Sequence, residues 1–243
     1  MDVNEVKRIC LWSGPRNIST AMMYSFAQRT DTVVYDEPLY AAYLSRFDAK
    51  DYHPGAQEIL DSMEQNAEKV IEMILGPHPR PIALFKQMTH HLLEVDWSFL
   101  RHTVNVILTR DPIEMLPSYA KQVKNPTMQD VGYALHFKLL DQINTIGQDP
   151  LVLDSRKVLE NPPGVLSLLC DKIGIPFDEK MLHWQKGARK EDGVWARFWY
   201  RSVHESTGFQ PYKPKDEPFP EHLRPLLEEC MPYYAGLKAL SIG

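Results

Sequence analysis

The sequence predicts an α/β protein, a three-layer sandwich in which helices cover both faces of a central, mostly parallel sheet. Short apolar runs alternate with helical patterns along the chain, an arrangement typical of parallel sheets. Two runs, NVILT and LVL, are short, largely apolar and bounded by turn residues, as strands buried on both faces are. With 243 residues, 44% of them hydrophobic, we expect a single domain over residues 1–243.

Five strands are predicted, at Arg8–Trp12, Thr32–Tyr35, Pro81–Phe85, Val104–Thr109 and Leu151–Leu153. Helices are predicted at Ser19–Gln28, Ala56–Leu75, Pro112–Val123, Met128–Ile146, Pro163–Ile173 and His222–Glu229. The second helix ends at a Gly-Pro breaker, and the third opens with proline, which suits a first helical turn. Residues 207–222 are rich in proline, so we expect either a lid over a site or a loop that connects to the last helix.

Composition excludes several classes of function. A net charge of −5 gives no overall attraction to nucleic acid or to anionic membranes, and no run of about 18 apolar residues exists to span a bilayer. The three cysteines, Cys10, Cys170 and Cys230, form no CxxC pair, and the first residues, MDVNEVKR, lack the apolar stretch of a signal peptide. We therefore expect reduced thiols in a cytoplasmic protein.

The first candidate site lies in the stretch ICLWSGPRNISTAMMYSF, where a strand enters a turn and then a helix. Gly14 and Pro15 break the strand, and Ser19 and Thr20 stand where free backbone N–H groups and the helix dipole attract phosphate. Arg16 adds a planar charge. The Walker pattern does not fit, because Ser19 and Thr20 replace its second glycine and its lysine, which disfavours ATP or GTP hydrolysis with magnesium. The alternative is an ordinary turn with Ser19 as helix N-cap.

A second candidate site follows in the stretch VILTRDPIEMLPSYAKQ. Arg110 ends a buried strand, and ligands of open α/β sheets bind beyond the carboxyl ends of strands. Ser118 lies eight residues later, just over two turns along the helix that Pro112 opens. The two side chains can converge on another phosphate. The alternative is a surface pair of Arg110 with Asp111 or a glutamate, beside a solvated Ser118.

Together these stretches resemble the sulfotransferases that use 3'-phosphoadenosine 5'-phosphosulfate (PAPS), and especially small sulfotransferase-like proteins of the P-loop superfamily. Residues 14–20 are similar to the family's loop for the 5'-phosphosulfate, with Asn17 following Arg16 and Ile18 standing where the family has glycine. Arg110 and Ser118 match the family's pair for the 3'-phosphate. The likeness extends from Ile9 to about Tyr200, and the chain shows no pattern for binding pyridoxal phosphate.

Two later stretches add to the resemblance. LVLDSRKVLENPPGVLSLLCDKIGIPF is similar to a strand and helix of the family. Asp154 ends the predicted strand, and without a Walker lysine we expect it either to cap a helix or to shape the site. WQKGARKEDGVWARFWY is similar to the family's late basic segment, which implies that Lys186 and Arg189 reach the 3'-phosphate. Its aromatic residues either line a pocket or pack in the core, and helical spacing favours the core.

The resemblance implies transfer of a sulfuryl group from PAPS to a hydroxyl or amine of a small acceptor, without a metal. Arg16, where the family usually has lysine, can stabilise the leaving phosphate but does not give up a proton. Two bases are candidates: Glu37, where some members place a catalytic glutamate, and His90, near the family's Lys-x-His. Lys86 could bind a sulfate oxygen. Alternatively, Asp36-Glu37 is a solvated turn and His90-His91 caps a helix.

Two other functions compete with this interpretation. A P-loop kinase-like phosphotransferase would need ATP and magnesium, and the missing Gly-Lys pair disfavours it. A nucleotide-binding protein of the same fold without turnover is the second alternative, which Arg16 and Ile18 keep open. No spacing specific for metal ligands is present.

Overall fold

The computed structural model describes residues 6–214 and 217–243. Six strands form one sheet: β1 Lys7–Ser13, β2 Thr32–Asp36, β3 Ile82–Met88, β4 Val104–Thr109, β5 Leu151–Asp154 and β6 Ser241–Ile242. Their order is β2-β3-β1-β4-β5-β6, and each of these pairings is parallel. The predicted α/β fold is confirmed, and the five predicted strands lie where the sequence places them, within a few residues at their ends.

Twelve helices of the described residues connect these strands. They are α1 Ser19–Phe26, α2 Tyr40–Arg46, α3 Ala56–Ser62, α4 Ala67–Leu75, α5 Pro112–Tyr119, α6 Met128–Val131, α7 Tyr133–Thr145, α8 Ser155–Glu160, α9 Pro162–Ile173, α10 Ala196–Trp199, α11 Arg201–His204 and α12 Arg224–Leu240. Short 3-10 helices lie at Asp48–Asp51, Thr89–Leu92, Trp97–His102, Glu179–Leu182 and Glu221–Leu223. None of the helices in the described ranges is long and apolar enough to cross a membrane.

Two helices predicted as continuous are each divided. The helix expected over Ala56–Leu75 ends at Ser62 and starts again at Ala67, because the chain is extended at Met63 and the Asn66 side chain accepts a hydrogen bond from the backbone N–H of Lys69. The helix expected over Met128–Ile146 breaks at Gly132, whose φ of 75° lies in the left-handed region.

Two other predicted helices have different ends. The helix expected over Pro112–Val123 stops at Tyr119, and the last helix, expected over His222–Glu229, begins at Arg224 and continues to Leu240. Pro232 lies inside that last helix, which a sequence pattern would read as a break.

Alternate residues of the strands supply two cores, one on each face of the sheet. Ile9 and Leu11 of β1 pack in a cluster with α1 and α9, whereas Cys10 and Trp12 pack in a cluster with α4 and α7. This alternation gives the three layers that the sequence predicts. Each large apolar side chain so buried contributes roughly 1.5–3 kcal/mol to folding.

β1 lies in the middle of the sheet, with β3 on one side and β4 on the other. The chain moves to one side of β1 through β2 and β3, and to the other side from β4 onward. This reversal of direction leaves a crevice beyond the carboxyl ends of the central strands, the usual ligand position in open α/β sheets. The loops after β1, β2, β3 and β4 all open into it.

Candidate active site

The loop after β1 is held in an unusual backbone conformation. Arg16 and Ile18 have φ values of 58° and 60°, in the left-handed region that glycine favours. The Asn17 side chain donates a hydrogen bond of 3.0 Å to the Leu108 carbonyl and so ties the loop to β4. A Cβ atom on Gly14 would lie 2.7 Å from the Val131 carbonyl oxygen, so only glycine fits there. Ile18 therefore has a backbone conformation that glycine favours, and glycine is the residue that the similar family has at this position.

The N-terminus of α1 faces this loop. Ile18 occupies the N-cap position, and in the described structure no side chain caps the helix. Ser19, which could have been the N-cap, is instead the first helical residue. The backbone N–H groups of the first turn are therefore available to an anion, with the positive end of the helix dipole behind them.

Arg16 contacts both Ser118 and Arg110, so the loop after β1 meets the two residues that the sequence assigns to the second site. Arg16 Nε donates to Ser118 Oγ at 3.1 Å and its Nη1 to the Trp199 carbonyl at 2.9 Å, while Arg110 Nη1 donates to the Arg16 carbonyl at 2.8 Å. Burial, and then the charge of Arg110, lower the pKa of Arg16. Arg110 also forms the glutamate pair that the sequence offered as an alternative, with Glu114.

Glu37 is buried, so the alternative of a solvated Asp36-Glu37 turn is wrong. Lys86 Nζ donates to Glu37 Oε1, to Asp36 Oδ1 at 2.8 Å and to Tyr200 Oη at 2.6 Å. The Tyr200 hydroxyl in turn donates to both oxygens of Asp36. Glu37 has a φ of 46°, a conformation that costs free energy unless the surroundings hold it.

Burial and the ion pairs act in opposite directions on the pKa values of this cluster. Desolvation raises the pKa of Glu37 to about 7, although the ammonium of Lys86 acts in the opposite direction. Burial alone would lower the pKa of Lys86, but the carboxylates of Asp36 and Glu37 outweigh it and raise that pKa. The lysine is therefore charged at neutral pH, and Glu37 exchanges a proton near neutrality.

His90 lies inside the 3-10 helix Thr89–Leu92 after β3 and is buried among aromatic rings. The next helix, Trp97–His102, is capped by Asp96, so the alternative that His90-His91 caps it is wrong. The ring centroid of His90 is 5.0 Å from that of Tyr43 and 4.7 Å from that of His91. Burial lowers the pKa of His90 to about 3, so its imidazole is neutral at physiological pH.

One cavity of about 640 Å³ joins these groups. Ten of the predicted site residues line it: Pro15, Arg16, Asn17, Ile18, Ser19, Thr20, Glu37, Lys86, His90 and Arg110. Gly14 underlies the loop, and Ser118 contacts the cavity residue Arg16. The volume falls within the usual range for small-molecule sites. Residues 6–214 and 217–243 contain no group of three or more His, Cys, Asp or Glu side chains placed to hold a metal ion.

Lys186 and Arg189 are not among the residues that line this cavity. Lys186 is exposed, and the Arg189 guanidinium lies 4.7 Å from the ring centroid of Tyr24. Asp192 accepts hydrogen bonds from the backbone N–H of Arg189 and from the Tyr24 hydroxyl, which fixes this segment against α1. The structure therefore does not bring these two basic residues to the others, and their role at a 3'-phosphate stays a prediction.

Aromatic side chains that sequence reasoning did not assign to the site also line the cavity: Tyr40, Tyr119, Trp195, Trp199, Tyr200, Phe209 and Tyr212. Trp195 and Tyr200 also belong to a buried cluster, so these two side chains line the pocket and pack in the core at the same time. The cluster of aromatics in VWARFWY was the available signal. Tyr40 and Tyr119 carried none, because each sits in a helix as an ordinary core residue would.

Part of the predicted segment 207–222 forms a wall of the cavity, from Gly208 to Lys213. Among the described residues of this segment, the backbone forms one isolated bridge, between Gly208 and His183, and no strand or helix is assigned before Glu221. Lys215 and Asp216, within the predicted segment, lie outside the described residues. Asp154 caps α8 as predicted, because its carboxylate accepts from the backbone N–H groups of Arg156 and Lys157.

Comparison with known proteins identifies the family. The profile of the sulfotransferase domain matches residues 7–241. The chain is 39% identical over 232 residues to branched-chain-amino-acid aminotransferase-like protein 1 of Arabidopsis thaliana and 36% identical over 229 residues to protein 2 of the same name and plant. These alignments cover 94% and 93% of this chain but 41% and 40% of the relatives, so the chain spans about two fifths of their length.

Solved structures share the fold. The sulfotransferase domain of the Synechococcus PCC 7002 olefin synthase has a TM-score of 0.55 at 17% identity, and the alignment covers 94% of this chain and 96% of that one. A sulfotransferase from Alicyclobacillus acidocaldarius has a TM-score of 0.51 at 11% identity, with 97% and 96% covered. On the sequence profile and the shared fold, this chain belongs to the sulfotransferase domain family.

Proposed function

We propose that the chain is a cytoplasmic sulfotransferase that moves a sulfuryl group from PAPS to a hydroxyl or amine of a small acceptor. One observation carries the proposal: a single cavity joins an uncapped helix N-terminus, two arginines and a buried glutamate that titrates near pH 7. Anion binding and proton removal, the two requirements of sulfuryl transfer, thus meet in one place.

The cationic end of the cavity suits the donor. Arg16, Arg110 and the first turn of α1 offer guanidinium and backbone N–H donors, which match phosphate oxygens in charge and geometry. Ser19 and Thr20 add hydroxyl donors at the same end. Arg16 stabilises the negative charge that develops on the leaving phosphate, but it does not protonate it.

Glu37 is the better base of the two candidates. A base works best when its pKa lies near the working pH, and the pKa of Glu37 is raised to about 7 whereas that of His90 is lowered to about 3. The acceptor oxygen or nitrogen bonds to sulfur, the bond from sulfur to the bridging phosphate oxygen breaks, and its electron pair leaves with the phosphate. Glu37 takes the acceptor's proton.

For Lys86 we propose a role other than the sulfate binding that the sequence suggests. An ammonium group has three N–H donors, and in the described structure those of Lys86 point to Glu37, Asp36 and Tyr200. Binding a sulfate oxygen would require one of these bonds to be given up. We propose that the main role of Lys86 is to hold Glu37 in place beside the cavity.

A turnover measurement tests the proposal. The purified protein is given PAPS with a broad mixture of small hydroxyl and amine compounds, and release of adenosine 3',5'-bisphosphate is followed. We expect release that depends on the acceptor mixture and is lost in Glu37→Gln. Absence of release, together with consumption of ATP in the presence of magnesium, would favour a kinase-like enzyme. Binding of the bisphosphate without release would favour a non-catalytic protein.

A further inference from the structure

We propose that Glu114 and Tyr212 are positioning residues that hold Arg110 for the 3'-phosphate of the donor and so set selectivity for a bisphosphate over a monophosphate. The inference rests on the proposed function, because it assumes that Arg110 binds this phosphate. The sequence assigned neither residue to the site, and neither would touch the reacting sulfur.

In the part of the chain that the structure describes, three hydrogen bonds hold the Arg110 guanidinium. Its Nε and Nη2 atoms donate to Glu114 Oε2 at 3.3 and 3.2 Å, and its Nη1 donates to the Arg16 carbonyl at 2.8 Å. A guanidinium group has five N–H donors, so Nη1 and Nη2 each keep one for a ligand. Because Arg110 lines the cavity, a fixed fork of this kind is ready for a phosphate.

The other oxygen of Glu114 connects to the cavity wall. Tyr212 Oη donates to Glu114 Oε1 at 2.6 Å, a short bond to a carboxylate. The centroid of the Tyr212 ring also lies 4.5 Å from the guanidinium carbon of Arg156, a second contact that holds the ring. One carboxylate therefore links the phosphate-binding arginine to the wall segment 208–213.

Partial burial strengthens the ion pair between Arg110 and Glu114. The side chains of Arg110 and Glu114 are 19% and 15% exposed, so their ion pair is screened less than one on the open surface. Without Glu114, two of the three bonds that fix the guanidinium are lost, and the side chain must be ordered again when phosphate binds. We expect a cost of about tenfold in affinity for a ligand that uses Arg110, and none for a ligand that does not.

The test compares two nucleotides by calorimetry. Adenosine 3',5'-bisphosphate has the 3'-phosphate, and adenosine 5'-monophosphate lacks it. We expect Glu114→Ala to weaken bisphosphate binding about tenfold and leave monophosphate binding unchanged, with a smaller selective loss in Tyr212→Phe. Glu114→Gln, which keeps an oxygen acceptor for Arg110, should recover part of the loss. In an Arg110→Ala background, Glu114→Ala should have no further effect on bisphosphate affinity.

Glu205→Ala is the matched control, because Glu205 pairs with Arg201 at the same four-residue spacing but on the exposed surface. It should change neither affinity. Equal weakening of both nucleotides by Glu114→Ala and Glu114→Gln would show a merely structural role and overturn the inference. Unchanged or tighter bisphosphate binding would overturn it as well. If the wild-type protein binds no bisphosphate, the proposed function fails; if it binds and only the variants behave otherwise, the inference alone fails.

Discussion

Lys86 determines the geometry of the buried cluster that contains Glu37 at the edge of the cavity. It is 1% exposed, and its ammonium group lies among Asp36, Glu37 and Tyr200. An ion inside a protein is stable only when its partners are well placed, and removing one partner of a buried pair costs about 3–5 kcal/mol. The cluster therefore holds Glu37 rigidly, in a backbone conformation that the residue would not adopt alone.

Replacing Glu37 by glutamine should abolish most turnover. Glutamine fills the same space but accepts no proton, so kcat should fall by about 100-fold or more while bisphosphate binding stays the same. Because the base must be ionised and the pKa of Glu37 is raised to about 7, wild-type kcat/KM should fall as pH decreases below about 7 and level off above it. Steady-state assays between pH 5.5 and 8.5 measure both.

His90→Asn is the comparison for that experiment. His90 lines the same cavity, but its pKa is lowered to about 3, so its imidazole is already neutral over the whole assay range. It should lower kcat by less than about tenfold. A larger loss in His90→Asn than in Glu37→Gln would assign the base to the histidine.

At this scale the sequence located residues that line the cavity but not the partners of those residues. Arg16, Glu37, Lys86 and Arg110 could be named because each follows or lies in a strand near the carboxyl edge of the sheet. Their partners could not, since Tyr200 reaches Asp36 and Lys86 from more than 100 residues away. Such pairing depends on how the late segments fold over the sheet.

At the scale of elements, a single glycine, Gly132, decides where one helix stops and the next begins. Gly132 has a φ of 75° and separates α6 from α7, so the direction of the chain changes where periodicity alone predicts one helix. A Cβ atom there would meet no other atom within 4 Å. The cost of a side chain at this position is therefore conformational and not steric.

Gly132→Ala should lower the free energy of unfolding by about 1–2 kcal/mol, the cost of a left-handed backbone for a residue with a Cβ. Gly147→Ala is a matched case, because Gly147 has a φ of 77° and open space around it. Urea unfolding of both variants measures the change. A loss below about 0.3 kcal/mol in both would contradict the conformational explanation.

The predictions of elements succeeded where a single signal dominated. The apolar runs located β1, β4 and β5 to within one residue at each end, and the proline that opens α5 located the start of that helix but not its end. β6 was missed because two residues of strand carry no pattern, and α2 because its sequence, YAAYLSR, follows a Glu-Pro turn without a capping residue. Packing against the rest of the fold decides both.

At the scale of the whole molecule, several histidines are buried in neutral form close to the site. His136 lies under the loop after β1, and burial lowers its pKa to about 4. In the unfolded chain histidine has an ordinary pKa near 6.5. Between about pH 6.5 and 4 the unfolded state therefore binds protons that the folded state does not, and stability falls as pH falls.

His136→Asn should make the free energy of unfolding depend less on pH. A single histidine of this kind contributes up to about 1.4 kcal/mol per pH unit between its two pKa values. Denaturant unfolding at pH 6.5, 5.5 and 4.5 measures the slope, which is informative even if the variant is less stable throughout. His222→Asn, at an exposed position, should leave the slope unchanged. The same reduction of the pH slope in both variants would contradict the claim that buried His136 causes this pH dependence.

The sheet order explains how distant stretches of sequence form one site. Loops after β1, β2, β3 and β4 begin at residues 14, 37, 89 and 110, and the parallel order brings all four to one edge. Family membership rests on residues 7–241, which is nearly the whole chain. The curated relatives are more than twice as long, so their names describe proteins with much sequence that this chain does not share.

Calorimetric titration with adenosine 3',5'-bisphosphate, compared with ATP plus magnesium, tests the central claim most directly. The wild-type protein should bind the bisphosphate selectively, and Arg110→Ala should weaken that binding by about 100-fold, since a charge-assisted phosphate contact contributes roughly 1.5–3 kcal/mol. Binding of ATP with magnesium in preference to the bisphosphate, or bisphosphate binding that is unaffected by Arg110→Ala, would contradict the assignment of this cavity to a sulfuryl donor.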